Sequence, residues 1–398
     1  MSKVSSQNLL GKSTFYLPHH CVTNSSSQTT KLRVVFDGSS KSSSGYALND
    51  ILLVGPTVQQ DLFSIVLRAR KHPILLTGDI AKMYRQVLLH NQQRSLQLIL
   101  WRPSPSLDIQ TYQLNTVTYG TASASYLATR CLRELANQCS QHNPKISKII
   151  ADDFYVDDLC TGGCTIEEVK NIKLQVTRVL QTGGFELRKF HSNAPEVVNN
   201  DVHNANVQFG ETSESKTLGL YWDTSNDSLK YSINWSANNT ITKRSILSCI
   251  PKIFDPLGLI APIITPAKII IQRLWQSQLS WDESVPLSIL TEWRLFYNQL
   301  KDLDELTIPR NVLVSDFVVV ELHGFSDASE LAYGACVYLR AVDSSDECHI
   351  SLLCPKTRVA PLKTITIPRL ELCGAVLLSE LVGKVIDSLQ LSIFKARY

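Results

Sequence analysis

The sequence has no apolar run long enough to cross a bilayer. Its most apolar stretch, Leu259 to Ile271, is interrupted by Pro262, Pro266 and Lys268, and it falls short of the ~20 residues that a spanning helix needs. No secretory signal is visible, so the Asn-x-Thr/Ser matches at Asn234 and Asn238 have no glycosylation context. The ten cysteines also lack the paired short spacings of a zinc site. Cys160 and Cys164 have no second pair near them, and His19-His20-Cys21 is too compressed to present ligands tetrahedrally. All ten are expected to be free thiols in a reducing, cytoplasmic setting, with Cys131, Cys249 and Cys373 in the core.

Net charge is small, only +3, but it is unevenly spread. Residues 1–150 carry 16 Lys and Arg against 6 Asp and Glu, and the remainder carries 23 against 30. A basic N-terminal part suits a surface lying along nucleic-acid phosphates, although a generic basic surface has the same count. The 398 residues, 44% hydrophobic, are enough for two or three domains with real cores and exclude a disordered chain.

What the sequence does contain is a set of acids at strand ends. Phe154-Tyr155-Val156-Asp157-Asp158-Leu159 reads as strand, tight turn and strand with two carboxylates at the tip. Taken alone, the pair reads as a solvated turn. Adjacent carboxylates repel, however, and bound divalent cations would relieve that repulsion. A second acid, Asp79, ends the apolar strand pattern that starts at Pro73. Successive strand residues point to opposite faces, so Asp157 and Asp158 cannot grip one ion equally and a third acid is needed. Asp79 with Asp157, supported by Asp158, would hold two ions and carry out nucleotidyl transfer.

Tyr-Val-Asp-Asp, preceded by Asp-Ile-x-x-x-Tyr-x-Gln at Asp79 to Gln86, resembles a reverse transcriptase palm. Leu48-Asn49-Asp50, Leu114-Asn115-Thr116-Val117-Thr118-Tyr119-Gly120-Thr121 and Phe254-Asp255-Pro256-Leu257-Gly258 extend the likeness to the BEL/Pao class of long-terminal-repeat retrotransposon polyproteins, from about Phe15 to about Leu389. The resemblance implies an α+β fold: right-hand polymerase fingers, palm and thumb, then a helical connection and a partial ribonuclease H-like α/β domain. It implies two magnesium ions, with manganese as a substitute, on Asp79, Asp157 and Asp158. Expected partners are an RNA template, a DNA primer or product, dNTPs and other parts of the polyprotein, with no membrane and with residence in a virus-like particle. Further roles follow by position. Arg33 contacts nucleotide phosphate, an ordinary strand-edge cation being the other reading. Tyr84 lies beneath the incoming sugar. Tyr119 and Gly120 contact the templating pair, though the small residues there equally permit tight helix packing. Lys189 approaches the triphosphate, with Arg188 an equally charged neighbour. Leu218, Gly219 and Leu220 form the primer grip.

The remaining pattern supports a domain series of 1–30 as a loosely structured lead-in, 31–240 as fingers and palm, 241–312 as a helical thumb and connection, and 313–398 as the ribonuclease H-like part. The pattern predicts a helix over Leu52 to His72 with Thr57 as its cap, and Arg68, Arg70 and Lys71 at its end suit the helix dipole and nucleic acid alike. A second helix is predicted over Thr165 to Thr182. Trp275, Trp281 and Trp293 are expected in the core. A strand reaching Asp327, a second strand over Tyr333 to Leu339 and a helix opening at Glu371 resemble a ribonuclease H remnant. Its next strand is expected to be cut short at residues 390–398, leaving its neighbours without partners.

Two other functions stand beside this one. An aspartic peptidase would need Asp-Thr-Gly or Asp-Ser-Gly, and Asp37-Gly38-Ser39 and Asp223-Thr224-Ser225 both depart from that pattern. A decayed copy that binds nucleic acid without catalysis would have no need of the three palm acids.

Overall fold

The computed structural model describes residues 1–23, 32–198, 214–217, 220–231, 241–250 and 253–398. The chain divides into two units, each built from three separate stretches. One comprises Met1–Gln60, Gly78–Leu159 and Lys173–Arg188, the other Asp61–Thr77, Cys160–Ile172 and Lys189–Tyr398.

The first unit holds a three-stranded antiparallel sheet in the order Ser2–Lys3, Gln110–Gln113, Leu98–Trp101. Beside it, His19–Thr23 pairs antiparallel with Leu32–Phe36, His19 opposite Phe36. Leu17 N–H also donates to Leu98 C=O, 2.8 Å away, so the described part of the lead-in, residues 1–23, is paired to its neighbours. Leu17, Phe36, Leu48, Ile99 and Leu114 form a small core there. The helices Ala124–Cys139 and Pro144–Asp152 pack on one another. The second opens with Asn143, whose side chain accepts from the Ile146 N–H, and has proline in its first turn, where no N–H is missed.

In the second unit a ribonuclease H-like sheet dominates. Phe317–Ala328, Ala332–Asp343 and Cys348–Val359 form an antiparallel meander, and Lys395–Arg397 joins the first of these in parallel. The expected loss of partners at residues 390–398 is thus corrected, because Lys395–Arg397 pairs with Glu321–His323. The helix Ile367–Leu389 lies across this sheet, with Leu377, Leu381 and Val385 against Leu322, Val337 and Leu339. A second antiparallel sheet runs Glu214–Thr217, Leu220–Asp223, Ser228–Lys230, Thr307–Pro309, the helices Lys243–Cys249, Ala261–Gln276 and Leu287–Gln299 coming between its last two strands in the chain.

Other expectations are corrected here. The helix expected over Leu52 to His72 is only Leu62–Ala69, capped by Asp61, which accepts from Ser64 N–H at 2.8 Å; Gly55-Pro56 ends the earlier segment because proline disfavours helical geometry before it. Arg68, Arg70 and Lys71, whose role the sequence left open, are turned onto backbone carbonyls. Arg68 donates to Ser388 C=O, Lys71 to Leu389 C=O, and Arg70 to the carbonyls of Pro309, Arg310, Leu352 and Leu353. Burial lowers the Arg70 pKa to about 10, and these four acceptors are what keep its charge tolerable there. Trp293 is buried, but Trp275 and Trp281 are 53% and 49% exposed and stack edge to face. Cys131, Cys249 and Cys373 are only half-buried, whereas Cys160 and Cys354 are buried.

Candidate active site

Asp79 lies near the end of the strand Ile74–Ile80. That strand is the third in a sheet ordered Phe154–Tyr155, Asp158–Gly163, Ile74–Ile80, Leu187–Ser192. Ile80 N–H donates to the Asp157 carbonyl at 2.9 Å, and Ala81 N–H to the Glu186 carbonyl at 2.8 Å. The Asp79 strand end is therefore flanked by the Asp157 turn and by the residues preceding Arg188. Backbone pairing, fixed by the apolar runs leading into each acid, is what brings the motifs together.

The turn itself is strained. Tyr155 pairs with Asp158, and Val156 between them has φ +57°, a conformation that costs a β-branched residue roughly 1–3 kcal/mol. Gln59 offsets part of this by accepting from Val156 N–H at 2.9 Å. Nothing in the sequence around Gln59 signals that contact.

Of the two cations named from the sequence, Arg188 is the one beside Asp79, with Nε 3.7 Å from Oδ2. That Nε is buried and has no hydrogen-bond partner. Lys189 is the first residue of its stretch in the other unit, at φ +53°. Tyr84 is half-buried. Burial raises its phenol pKa and the nearby Asp157 charge adds to this, while a hydrogen bond with Ser125 opposes both.

Tyr119 and Gly120 sit in a turn clamped by Asn49. The Asn49 side-chain amide donates to Gly120 C=O at 3.0 Å, and its oxygen accepts from Ala122 N–H at 2.8 Å. Gly120 has φ +91°, and a Cβ there would lie 2.1 Å from the Phe36 carbonyl oxygen, so only glycine fits. Asn49 stood in a quoted motif without a role; its contacts supply one.

The other candidates belong to separate elements. Arg33 is exposed on Leu32–Phe36, opposite Val22. Leu218 and Gly219 lie outside the described residues; Leu220 begins a strand antiparallel to Glu214–Thr217. In the second unit Asp327 is exposed on its strand, and a Cβ added at Gly374, one turn after Glu371, would lie 3.6 Å from the Asp327 carbonyl oxygen. That places the two acids at one edge of the helix-on-sheet layer.

Among the described residues, one trio of metal-capable side chains has ligand atoms all within 4.8 Å of one another: Asp343, Glu347 and His349. The palm acids do not converge that tightly. The trio closes the hairpin between two ribonuclease H-like strands, where Asp343 accepts from Ser345 N–H, Glu347 N–H and His349 Nε2. Asp223 and Asp37 are likewise held in turns. Asp223 accepts from Ser225 and Asn226, and Asp37 from Ser39 N–H, and they lie in different units.

A sheet carrying Asp79 next to an Asp-Asp hairpin, with a separate four-stranded meander-and-helix unit, defines a reverse-transcriptase-like fold with a ribonuclease H-like region. Residues 242–398 match the Pao retrotransposon-like RNaseH-like domain, so the retroelement resemblance holds over that segment. The whole chain is similar in fold to the foamy viral protease-reverse transcriptase dRH solved in complex with ds DNA. That likeness has a TM-score of 0.59 at 16% identity over 98% of this chain and 60% of that one. A second similar structure is the foamy viral protease-reverse transcriptase in complex with RNA/DNA hybrid, with a TM-score of 0.53 at 14% identity over 97% of this chain and 46% of that one. The chain thus spans about three fifths or less of these relatives. No curated protein matches it. Among the described residues no helix is long and apolar enough to cross a membrane.

Proposed function

We propose that the chain is an RNA-directed DNA polymerase that adds dNTPs to a DNA primer on an RNA or DNA template. The observation that carries this reading is the hydrogen bond from Ile80 N–H to Asp157 C=O, which sets two acid-bearing strands side by side at one sheet edge. Asp79, Asp157 and Asp158 are oxygen donors of the kind that hard divalent cations take, so the residues present fit a pair of magnesium ions. Such ions, when bound, supply charge neutralisation at the attacking hydroxyl and the leaving pyrophosphate.

The rest of the site is the work of this chain's own groups. Tyr84, half-buried near Asp157, would lie under the sugar and exclude a 2′-hydroxyl by contact. The Tyr119–Gly120 turn, held by Asn49, would support the templating pair. Arg188 stands beside Asp79 and offers an unpaired Nε, with Arg33 and Lys189 as further phosphate contacts and Leu218 to Leu220 as primer grip. The nucleic acids held by the foamy viral relatives are consistent with these substrates.

Primer extension on an RNA template with magnesium, comparing the chain with an Asp157→Asn, Asp158→Asn variant, tests the proposal. The variant is expected to lose extension by ~10³-fold or more, the scale on which removed transition-state stabilisation of about 4 kcal/mol shows. Equal extension by both proteins would sink the reading.

A further inference from the structure

The bend joining Ala332–Asp343 to Cys348–Val359 gathers an imidazole and two carboxylates. The ligand atoms of Asp343, Glu347 and His349 all lie within 4.8 Å of one another. The backbone explains why they converge. Asp343 N–H donates to Glu347 C=O at 3.1 Å and Asp346 takes φ +62°, so the chain reverses over a short loop and brings Glu347 and His349 back beside Asp343. Asp343 is fixed through one oxygen only. Its Oδ1 accepts from Ser345 N–H at 2.9 Å and Glu347 N–H at 3.0 Å, which leaves Oδ2 facing His349 Nε2 at 2.8 Å. The Glu347 side chain is exposed, and among the described residues its carboxylate accepts no hydrogen bond. Carboxylates alone would make an acidic patch; the imidazole makes a ligand set.

We propose that Asp343, Glu347 and His349 bind one divalent transition-metal ion of the zinc class, with water in the fourth position. Charge and ligand type decide the occupant. With a neutral imidazole the two carboxylates carry two negative charges, which one dication balances. Calcium takes ~6–8 oxygen ligands and magnesium a near-octahedral oxygen shell, whereas imidazole beside carboxylate suits zinc and its neighbours. A tetrahedral ion with bonds of ~2.0–2.2 Å spaces its ligands about 3.3–3.6 Å apart, so Oδ2 and Nε2 need part by only roughly 0.5–0.8 Å, the imidazole proton standing on Nδ1. The Ser345 and Glu347 N–H groups on Oδ1 are outer contacts of the kind that hold a ligating carboxylate in place. Such an ion would tie the two arms of the hairpin across its bend. It would lie apart from both other acid sets. Asp343 pairs with Phe317, at the opposite end of the strand from Asp327 and roughly 30 Å from it along that strand, and the palm acids belong to the other unit. Binding here does not depend on primer extension.

The test is a titration of the full chain, stripped with a chelator and kept reduced, with cobalt(II), whose absorption reports its ligands. One equivalent is expected to bind with the visible bands of a tetrahedral nitrogen–oxygen set and without thiolate charge-transfer bands, which sets aside the ten cysteines. Zinc should displace it, and a large excess of magnesium should not. Glu347→Gln, which leaves both turn N–H bonds in place, and His349→Gln are each expected to weaken binding by at least ~10–100-fold, the range seen when even an outer contact of a ligand is lost. Zinc should raise the thermal unfolding midpoint of the unaltered chain but not that of Glu347→Gln. The Asp157→Asn, Asp158→Asn variant should bind cobalt as the unaltered chain does, whether or not any primer is extended. The absence of a saturable nitrogen–oxygen band, thiolate bands in its place, or an affinity unchanged in both Glu347→Gln and His349→Gln overturns the proposal.

Discussion

Arg188 holds its Nε 3.7 Å from the Asp79 Oδ2 atom, too far for a hydrogen bond, and that nitrogen has no other partner. A buried donor left unpaired costs ~1–3 kcal/mol, so a group that supplies an acceptor at that point binds with the cost recovered. Arg188→Gln is expected to raise the KM for dNTP and lower primer extension by about tenfold or more, one power of ten per ~1.4 kcal/mol lost. Lys189→Gln should change extension less. Steady-state kinetics on both variants decide this, and a larger effect at Lys189 would reverse the assignment.

Tyr84 is half-buried near Asp157, whose charge adds to burial in raising its phenol pKa. Replacing it by valine removes the ring without touching an acid, so Tyr84→Val is expected to increase ribonucleotide incorporation while deoxynucleotide addition is largely kept. Competition between matched ribo- and deoxynucleotides reads the ratio directly. Unchanged discrimination would move the sugar gate elsewhere.

Arg310 is a stability centre of the second unit. It pairs bidentately with Asp227 at 2.6 and 2.7 Å and donates to the carbonyls of Ala69, His72 and Pro73, with only 2% of its side chain exposed. Breaking a buried pair from one side costs ~3–5 kcal/mol because the remaining charge is stranded. Arg310→Met should therefore lower denaturant stability by about 3 kcal/mol or more, and Arg310→Met with Asp227→Asn should recover part of that loss. A double variant no better than the single one would show that the carbonyl contacts, not the ion pair, carry the energy.

The Asp343–His349 contact gives a pH dependence. The hydrogen bond from His349 holds the Asp343 carboxyl below its ordinary value, and the same bond raises the His349 pKa above 6.5, with the Glu347 and Asp316 charges adding to it. The depressed acid contributes stability above its unfolded pKa, ~3.9, and loses it as pH falls through the folded value. The raised histidine contributes fully below ~6.5 and loses its share as pH rises through the folded value. His349→Gln is accordingly expected to remove the small fall in unfolding midpoint between pH 6 and 8 and to shrink the acid limb to the share held by the Ser345 and Glu347 N–H groups. An unchanged slope above pH 6.5 would show that another group sets it.

Local sequence carried the acid-bearing strands well, since apolar runs ending on Asp79 and on Asp157-Asp158 gave both position and chemistry. The strand Cys348–Val359 was not legible. Pro355 within it argues against a strand, since proline cannot donate to the ladder. The fold tolerates it because the strand is at the sheet edge, beside a register shift opposite Val337 and Tyr338. Nor could periodicity show that Arg68, Arg70 and Lys71 are spent on carbonyls some 240–320 positions later. The Asn49 clamp on Gly120 is of the same kind: a motif marks the residue, but only tertiary structure supplies the partner.

The helix Leu62–Ala69 has a consequence for how the chain is made. Ser64 hydrogen-bonds Ser388 across 324 positions, and Ile65 and Val66 belong to the core that the helix Ile367–Leu389 completes. At ~5–20 residues per second, a ribosome takes roughly 15–65 s to deliver that cover. Throughout the interval an apolar helix face stands bare between two strand-forming segments of the nascent chain. Early synthesis is thus the period of greatest exposure to aggregation and chaperone capture, and point changes that lower the apolarity of this one short helix would act on yield before they act on the finished protein.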